Sequence, residues 1–295
     1  MDDILGLRGK ISFEIRKFFI KRDYIEVETP IRLREIIPEE HIDFFTSENY
    51  YLQASPEICM KRLLSKGYKK IFQICKAFRK GERGNLHLPE ITMLEWYHAG
   101  KTCFDLMDET RSLIQYLANY LNIEYIERQN KKIFINGNYI KLSIPDAVKK
   151  YTSYSFNEVL ENFDEIFGLE ICPNLGFERP VFLYDFPASQ ASLAALSQKN
   201  KDFAQRFELF IGGVEICNCF TELTDPLEQK KRFIQTINKR KNAGKEVSPV
   251  PQKFLRDLSL MPFSSGNALG VDRLIMLLLN QKKIDDVIAF PPEKL

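Results

Sequence analysis

One predicted strand carries a carboxylate on the face where core residues are expected. In the segment "ITMLEWY", the two-residue alternation of a strand places Met93, Glu95 and Tyr97 on one face, with Leu94 and Trp96 on the other. An unpaired carboxylate among apolar side chains is costly, so Glu95 requires a cationic or hydrogen-bonding partner. That partner is either an arginine or lysine of the chain or the ammonium group of a ligand.

A second carboxylate site is predicted from the segment "FELFIGGVEICNCF". Gly212 and Gly213 tolerate the positive φ angles of a two-residue hairpin turn. Counting outward from this turn gives the predicted strand pairs Ile211–Val214, Phe210–Glu215 and Glu208–Cys217. Glu208 and Glu215 would then be diagonal neighbours on one face. Because like charges repel unless a cation lies between them, this pair indicates a Mg²⁺ site that substrate phosphates complete.

Four further charged residues are weak candidates when each is considered alone. Glu57 in "SPEICMKR" and Glu222 in "CFTELTD" have apolar or turn-like surroundings, which are also typical of surface residues and helix caps. Arg79, at the end of a predicted strand, and Arg273, at the start of the last predicted helix, are equally typical of surface ion pairs. Their significance depends on which of them the fold brings together.

Composition limits the classes of function. The 295 residues are 44% hydrophobic and carry 42 Lys plus Arg against 40 Asp plus Glu. This predicts a globular chain with a full core, and the net charge of +2 provides no overall attraction to nucleic acid or an anionic membrane. No run reaches the roughly 18 apolar residues of a membrane span, and the N-terminus lacks an apolar signal segment. We therefore expect no membrane association and a cytoplasmic location.

Several common chemistries are disfavoured. The histidines His41, His87 and His98 are too scattered to indicate a zinc site. The sequence contains neither a GxxxxGK[ST] loop nor a GxGxxG loop after a strand, which disfavours P-loop and Rossmann enzymes. The cysteines form no CxxC pair and are predicted to be free thiols. They are Cys59, Cys75, Cys103, Cys172, Cys217 and Cys219.

Hydrophobic periodicity indicates the elements that must position the candidate residues. It predicts helices at 9–22, 56–66, 104–120, 156–163, 228–243 and 272–281. It predicts strands at 25–29, 69–80, 91–97 and 265–271, besides the hairpin around Gly212. Residues 124–170 form a polar stretch with a predicted hairpin in "IFINGNYI", and we interpret this stretch as an insertion.

Three segments together resemble the signature motifs of class II aminoacyl-tRNA synthetases. In chain order they are the helix and strand ending in "DYIEVETP", the segment "FRKGERGNLHLPEITMLEWY" and the segment "GNALGVDRL". The segments "SPEICMKRLL", "YDFPASQASLA" and "GVEICNCFTELTD" resemble the lysyl branch, and most closely its shortened paralogues that modify elongation factor P. The resemblance covers nearly the whole chain and is weakest at about 105–170.

The resemblance implies an α+β fold, an antiparallel sheet flanked by helices, with residues 1–295 as a single catalytic domain. Motif 1 would lie at a homodimer interface, and motifs 2 and 3 would surround ATP. The substrate carboxylate would attack the α-phosphorus, with loss of pyrophosphate and with Mg²⁺ as the metal cofactor. Catalysis would come mainly from positioning and charge neutralisation.

The family's site residues map onto positions that match its motifs. A lysine-like substrate would be bound by Ser55, Pro56, Glu57, Glu95, Tyr97, Glu222 and Ala268. ATP would be bound by Arg79, Lys80, Gly81, Glu82, Glu215, Ile216, Gly270 and Arg273. Within that set Arg79 would contact the α-phosphate, Glu82 would lie near adenine and Arg273 would hold the γ-phosphate. Glu208 and Glu215 would hold Mg²⁺. The sequence departs from the family at Leu88, usually Asn, and at Gly81, usually Glu in lysyl-tRNA synthetases.

The acceptor of the activated amino acid is a separate question. The helix of motif 1 begins by residue 9, so we expect no N-terminal anticodon-binding domain and no tRNA binding. The paralogues ligate (R)-β-lysine to the ε-amine of a lysine on elongation factor P. Ala268 agrees with them, because lysyl-tRNA synthetases typically have Gly there. The resemblance thus implies an elongation factor P ligase that uses (R)-β-lysine or lysine.

Two alternatives remain. A minimal lysyl-tRNA synthetase-like enzyme would charge tRNA or a small molecule, and the basic helix predicted at 228–243 could serve either acceptor or be a solvated face. A catalytically inactive paralogue would only bind lysine or tRNA. Loss of Arg79, Arg273, Glu208 or Glu215 would be expected of it, and all four are present.

Overall fold

An eight-stranded sheet forms the centre of the molecule in the computed structural model, which describes residues 3–295. The strands, in chain order and including two small sheets, are β1 (Ile25–Glu26), β2 (Arg32–Leu33), β3 (Thr46–Ser47), β4 (Tyr50–Leu52), β5 (Lys70–Phe78), β6 (Glu90–Ala99), β7 (Tyr125–Arg128), β8 (Lys131–Phe134), β9 (Ile140–Ser143), β10 (Val181–Pro187), β11 (Phe203–Ile211), β12 (Val214–Thr221) and β13 (Ser264–Gly270). The helices are α1 (Ile4–Ile20), α2 (Glu57–Leu64), α3 (Cys103–Tyr120), α4 (Ile144–Tyr151), α5 (Phe156–Glu161), α6 (Phe163–Ile166), α7 (Pro226–Asn242), α8 (Gln252–Leu258) and α9 (Val271–Leu278).

The large sheet is mostly antiparallel. Its strand order is β1-β5-β6-β13-β12-β11-β10-β9, and only the two edge pairs, β1 with β5 and β9 with β10, are parallel. This confirms the predicted α+β architecture. No helix within residues 3–295 is long and apolar enough to cross a membrane.

Helices α1, α3 and α9 cover one face of the sheet. The predicted apolar stripe of α1 is confirmed, since Ile11, Ile15, Phe18 and Phe19 are all fully buried. Leu94 and Trp96 of β6 join this core, so the opposite face of β6 is directed toward α2, α7 and α8. The two-residue alternation predicted for β6 is therefore confirmed.

The hairpin of β11 and β12 contains a β-bulge that the sequence prediction missed. The predicted pairs Ile211–Val214 and Phe210–Glu215 are present, but Glu208 lies opposite Asn218, and Cys217 lies opposite Leu209. The predicted Glu208–Cys217 pair is wrong because the register shifts between Leu209 and Phe210. One extra residue on β12 turns Cys217 into the helix-covered core.

Residues 124–170 differ in detail from the prediction. The hairpin of β7 and β8 turns at Gln129 and Asn130, both with positive φ, rather than within "IFINGNYI". β9 begins at Ile140, the last residue of that segment, and adds an edge strand to the large sheet beside β10. The predicted helix near 156–163 corresponds to α5.

Candidate active site

A cavity of about 850 Å³ lies on the face of the sheet opposite the core of α1, α3 and α9. This volume is within the usual range of small-molecule sites. Loop residues 36–42, Phe44, residues 188–193 and part of α7 also line it. The sequence-predicted residues that line it are Ser55, Glu57, Arg79, Glu82, Glu95, Tyr97, Glu208, Glu215, Ile216, Ala268, Gly270 and Arg273.

Four sequence-predicted residues do not line the cavity. Pro56 precedes α2 as its cap, and Lys80 is exposed, with Nζ 3.4 Å from Glu246 Oε2. Gly81 has a φ of 81°, which favours glycine over the glutamate usual in lysyl-tRNA synthetases. Glu222 is buried and is not among the residues that line the cavity.

Glu95 is buried on the cavity wall with two hydroxyl partners. The Ser55 hydroxyl donates to its Oε1 at 2.5 Å, and the Tyr97 hydroxyl donates to its Oε2 at 3.0 Å. No arginine or lysine in the described part of the chain forms an ion pair with Glu95. Its partners in the structure are therefore the two hydroxyl groups of Ser55 and Tyr97. Burial, reinforced by the nearby Glu57 carboxylate, raises the pKa of Glu95 to about 8.

Ser55 joins α2 to β6. Its Oγ accepts the backbone N–H of Glu57 at 3.0 Å while the same hydroxyl donates to Glu95. The first turn of α2 therefore holds Glu57 and Glu95 at one end of the cavity. The sheet and α2 thus bring these two carboxylates to the same cavity.

Lys61 forms ion pairs with two carboxylates near that end of the cavity, and the sequence analysis missed it. Lys61, which is 1% exposed, places its Nζ 2.5 Å from Glu57 Oε1 and 2.5 Å from Glu222 Oε2. Burial disfavours the charged ammonium, but the two carboxylates outweigh it and raise the pKa of Lys61. Its position four residues after Glu57 on a helix was the available signal.

The pairing of β6 with β13 shapes the same end of the cavity. Ala268 lies opposite Glu95, and Gly266 lies opposite Tyr97. A Cβ on Gly266 would stand 2.2 Å from Tyr97 Cε1 and 2.7 Å from Glu222 Oε1. Glycine is therefore required at this position for Tyr97 and Glu222 to approach each other.

Two arginines line the cavity among residues of motifs 2 and 3. Within residues 3–295 the buried Nε of Arg79 has no hydrogen-bond partner, and a carboxylate oxygen of Glu82, Oε1, lies 3.7 Å from Nη1 of the same arginine. Arg273 donates to the carbonyl oxygens of Leu86 at 3.1 Å and Glu215 at 3.0 Å. Arg79 thus has a free donor for an anion, and Arg273 is fixed in place by the backbone.

Glu208 and Glu215 both line the cavity, and the bulge places Asn218 rather than the predicted Cys217 opposite Glu208. Glu208 accepts a hydrogen bond from Arg206 at 2.6 Å, and Glu215 Oε2 lies 3.4 Å from Arg273 Nη1. Burial raises the pKa of Glu208 to about 7; Arg206 lowers it and Glu215 raises it. Arg206 was not identified from the sequence, although it precedes Glu208 by two residues on the same strand face.

The basic helix α7 has two distinct groups of cations. Arg240 is buried and donates to the carbonyl oxygens of Glu39 at 2.8 Å and Ile42 at 3.0 Å, which fixes the loop at the rim of the cavity. Arg232 similarly holds the carbonyl of Ala194 at 2.8 Å. The second group consists of lysines, among them Lys230, Lys231 and Lys241, whose side chains are exposed.

Known proteins resemble this chain over nearly its whole length. The family model of the class II tRNA synthetases of the D, K and N group matches residues 1–294. A protein of Buchnera aphidicola subsp. Schizaphis graminum, named elongation factor P–(R)-β-lysine ligase, is 36% identical, with 97% of this chain and 95% of the relative covered. Proteins of the same name from Buchnera aphidicola subsp. Acyrthosiphon pisum and Salmonella typhi are each 38% identical, with 97% of this chain and 94% of each relative covered.

Proposed function

We propose that this chain, which belongs to the class II tRNA synthetases, is an ATP-dependent ligase that activates (R)-β-lysine or lysine and transfers it to elongation factor P. The family membership supports amino-acid activation by ATP. The names of relatives that match over nearly the whole chain support the acceptor. The expected location is the cytoplasm, where translation takes place.

One arrangement carries the proposal: the cavity has carboxylates at one end and arginines elsewhere along its wall. Glu95 is buried and forms no ion pair with a cation among residues 3–295, and the Glu57 carboxylate is nearby, so the ammonium groups of a lysine-like substrate would complete their pairing. The buried Nε of Arg79 has no hydrogen-bond partner in the described part of the chain, and a phosphate oxygen would satisfy it. A substrate with ammonium groups and a nucleotide with phosphates therefore fit one cavity.

Positioning by these residues accounts for the first step. With its ammonium groups at Glu57 and Glu95, the amino acid would direct its carboxylate along the cavity toward Arg79. The carboxylate oxygen would form a bond to the α-phosphorus, the bond to the pyrophosphate oxygen would break, and Arg79 would stabilise the added negative charge. Arg273 would hold the departing phosphates.

Glu208 and Glu215 would hold Mg²⁺ in this proposal. No group of three or more His, Cys, Asp or Glu side chains within residues 3–295 is arranged to hold a metal alone. Two neighbouring carboxylates nevertheless suit Mg²⁺, which is usually bound by one or two carboxylates together with substrate phosphates. The bound ion would neutralise phosphate charge.

In the second step the ε-amine of a lysine on the acceptor would attack the carbonyl carbon of the aminoacyl-adenylate. An amide bond would form, AMP would leave and the amine would release a proton. We further propose a homodimer through motif 1, because Phe13 and Ile20 of α1 and Ile25 of β1 are apolar and exposed.

Intact-protein mass spectrometry of elongation factor P tests this function. Elongation factor P is incubated with the protein, ATP, Mg²⁺ and either (R)-β-lysine or L-lysine, with a reaction lacking ATP as the control. We expect an increase of one lysyl unit, larger with the β-isomer, and tandem spectra that locate it on one lysine side chain. Amino-acid-dependent pyrophosphate exchange without any mass increase would contradict the proposed acceptor and favour tRNA or a small molecule.

A further inference from the structure

Lys61 places a cation of the chain itself next to the cavity that should receive the cations of the substrate. We propose that Lys61 is a positioning residue, which fixes the charge and the shape of the ammonium-binding end through Glu57 and Glu222. The identity of the substrate in this inference rests on the proposed function. The ion pairs themselves do not depend on it.

The geometry identifies Lys61 as part of a closed cluster. Its Nζ lies 2.5 Å from an oxygen of Glu57 on the same helix and 2.5 Å from an oxygen of Glu222, which follows β12. The ring of Phe220 lies 5.0 Å from the same nitrogen. Lys61 thus joins α2 to the end of β12 through charged groups that are removed from solvent.

The carboxylates around Lys61 differ in whether they line the cavity. Glu222 does not line the cavity, and its only charged partner in the described chain is Lys61. Glu57 contacts Lys61 but also lines the cavity, and Glu95 lines the cavity without an ion pair to any cation that the structure describes. Lys61 therefore offsets Glu222 and orients Glu57, while Glu57 and Glu95 remain available to a ligand.

The charge count then defines the class of amino acid. When ionised, Glu57, Glu95 and Glu222 provide three negative charges, and Lys61 provides one positive charge. The two uncompensated carboxylates match the two ammonium groups of a diamino acid. An amino acid with a single ammonium group would leave one carboxylate buried and unpaired, which is costly. With Lys61 present, the pocket has two uncompensated carboxylates, which match two cationic groups. Without Lys61 it would have three.

Other titratable groups surround the cluster and must be considered in its response to pH. Glu222 has a pKa raised to about 8 by burial, against the opposing effect of Lys61. Burial likewise raises the pKa of Tyr97 well above its usual value. The titratable groups that interact with Lys61, Glu57 or Glu222 from the packed elements are Glu39, Glu95, Tyr97 and Cys219.

A pH profile of thermal stability distinguishes a charged role from simple packing. We expect Lys61→Met to lower Tm more at pH 8.5 than at pH 5.5, by about 5 °C or more, because Glu222 loses its counter-ion where it would be ionised. The double variant Lys61→Met/Glu222→Gln should lose this pH dependence. Equal loss of Tm at both pH values, with no relief in the double variant, would overturn the proposal.

The kinetic measurement tests the effect on the ligand site. In pyrophosphate exchange with (R)-β-lysine or L-lysine, Lys61→Met should raise the KM for the amino acid about tenfold or more, with the KM for ATP within about twofold of wild type. Arg62→Met is the matched control, because Arg62 is the next residue on α2 and pairs with Asp257 outside the cavity. An amino-acid KM that does not change, or an equal change in both KM values, would contradict the positioning role.

The two measurements separate this inference from the proposed function. If the wild-type protein supports no exchange with any diamino acid, the proposed function fails, while the Tm comparison still decides whether Lys61 neutralises Glu222. If exchange is normal and Lys61→Met changes neither KM nor the pH profile, the inference fails and the proposed function stands.

Discussion

Gly266 lies directly opposite Tyr97 in the pairing of β13 with β6, and a Cβ on Gly266 would stand 2.2 Å from Tyr97 Cε1. Such a contact is impossible without movement of the tyrosine, which donates its hydroxyl hydrogen bond to Glu95. The absence of one side chain therefore allows the carboxylate cluster to form. It also provides a means of disturbing the amino-acid end of the cavity without changing any charge.

We predict that Gly266→Ala raises the KM for the amino acid in pyrophosphate exchange at least about tenfold, because displacement of Tyr97 removes a hydrogen bond from Glu95. The KM for ATP should change little. Gly9→Ala is the control, since within residues 3–295 a Cβ at that position would meet no atom within 4 Å apart from its chain neighbours and the nearby backbone of its own helix. Equal kinetics for the two alanine variants would show that Tyr97 adjusts without consequence.

Ala268→Gly should change the choice between isomeric substrates. Ala268 lies opposite Glu95, so its methyl group occupies space beside the carboxylate that would bind an ammonium group. One methyl group is worth about 1 to 3 kcal/mol in substrate discrimination. We expect the ratio of kcat/KM for (R)-β-lysine to that for L-lysine to fall about tenfold or more. An unchanged ratio would place the determinant of isomer preference elsewhere.

Local patterns in the sequence were sufficient for most of the elements that position the site. The alternation in β6 correctly predicted that Met93, Glu95 and Tyr97 face away from Leu94 and Trp96. The same counting failed at Cys217, because a β-bulge inserts one residue and no glycine or proline marks it. Such a shift depends on tertiary packing of both sheet faces, which a two-strand alignment does not contain.

Lys61 was missed for a different reason. Within its own segment it resembles an ordinary basic residue near the end of a helix, where cations interact favourably with the backbone dipole. Its burial becomes visible only when Glu222, distant in sequence, is brought against α2 by β12. The net charge of the side chains around the pocket likewise cannot be counted until the residues that form the pocket are known.

Glu95 should make the ligand-free protein less stable as pH rises. Its pKa is about 8 in the folded protein against an ordinary value of 4.5, so between these pH values the folded state holds a proton that the unfolded state has released. Stability from this group is therefore greatest at or below pH 4.5 and falls as pH rises toward 8. The slope is at most about 1.4 kcal/mol per pH unit.

Urea unfolding of wild type and Glu95→Gln at pH 5.5 and pH 8 measures this effect. The glutamine variant should lose less stability across the interval, because it has no proton to release. Glu90→Gln, on the same strand but with its side chain exposed, should behave like wild type. Parallel pH profiles for wild type and Glu95→Gln would mean that Glu95 is ionised in the ligand-free protein.

Phe13 tests the proposed dimer. It is 60% exposed on α1 and lies on the same helix as exposed Ile20. If α1 pairs with a second copy, Phe13→Asp places a charge in an apolar interface and should convert the protein to a monomer in light scattering after size exclusion. Leu169→Asp is the control, because Leu169 is 70% exposed outside motif 1. An unchanged mass for Phe13→Asp would exclude this surface as the interface.

Arg79→Met should slow adenylate formation more than it weakens ATP binding. Among the described residues the buried Nε of Arg79 has no hydrogen-bond partner, and in the proposed reaction its hydrogen bond to the nucleotide becomes strongest as charge develops at the α-phosphorus. We expect kcat for pyrophosphate exchange to fall about 100-fold or more, with a smaller change in the KM for ATP. Lys76→Met controls for loss of a cation, since Lys76 pairs with Glu90 on the exposed surface of neighbouring strands. A rise in the KM for ATP with unchanged kcat would instead mean that Arg79 binds ground state and transition state equally.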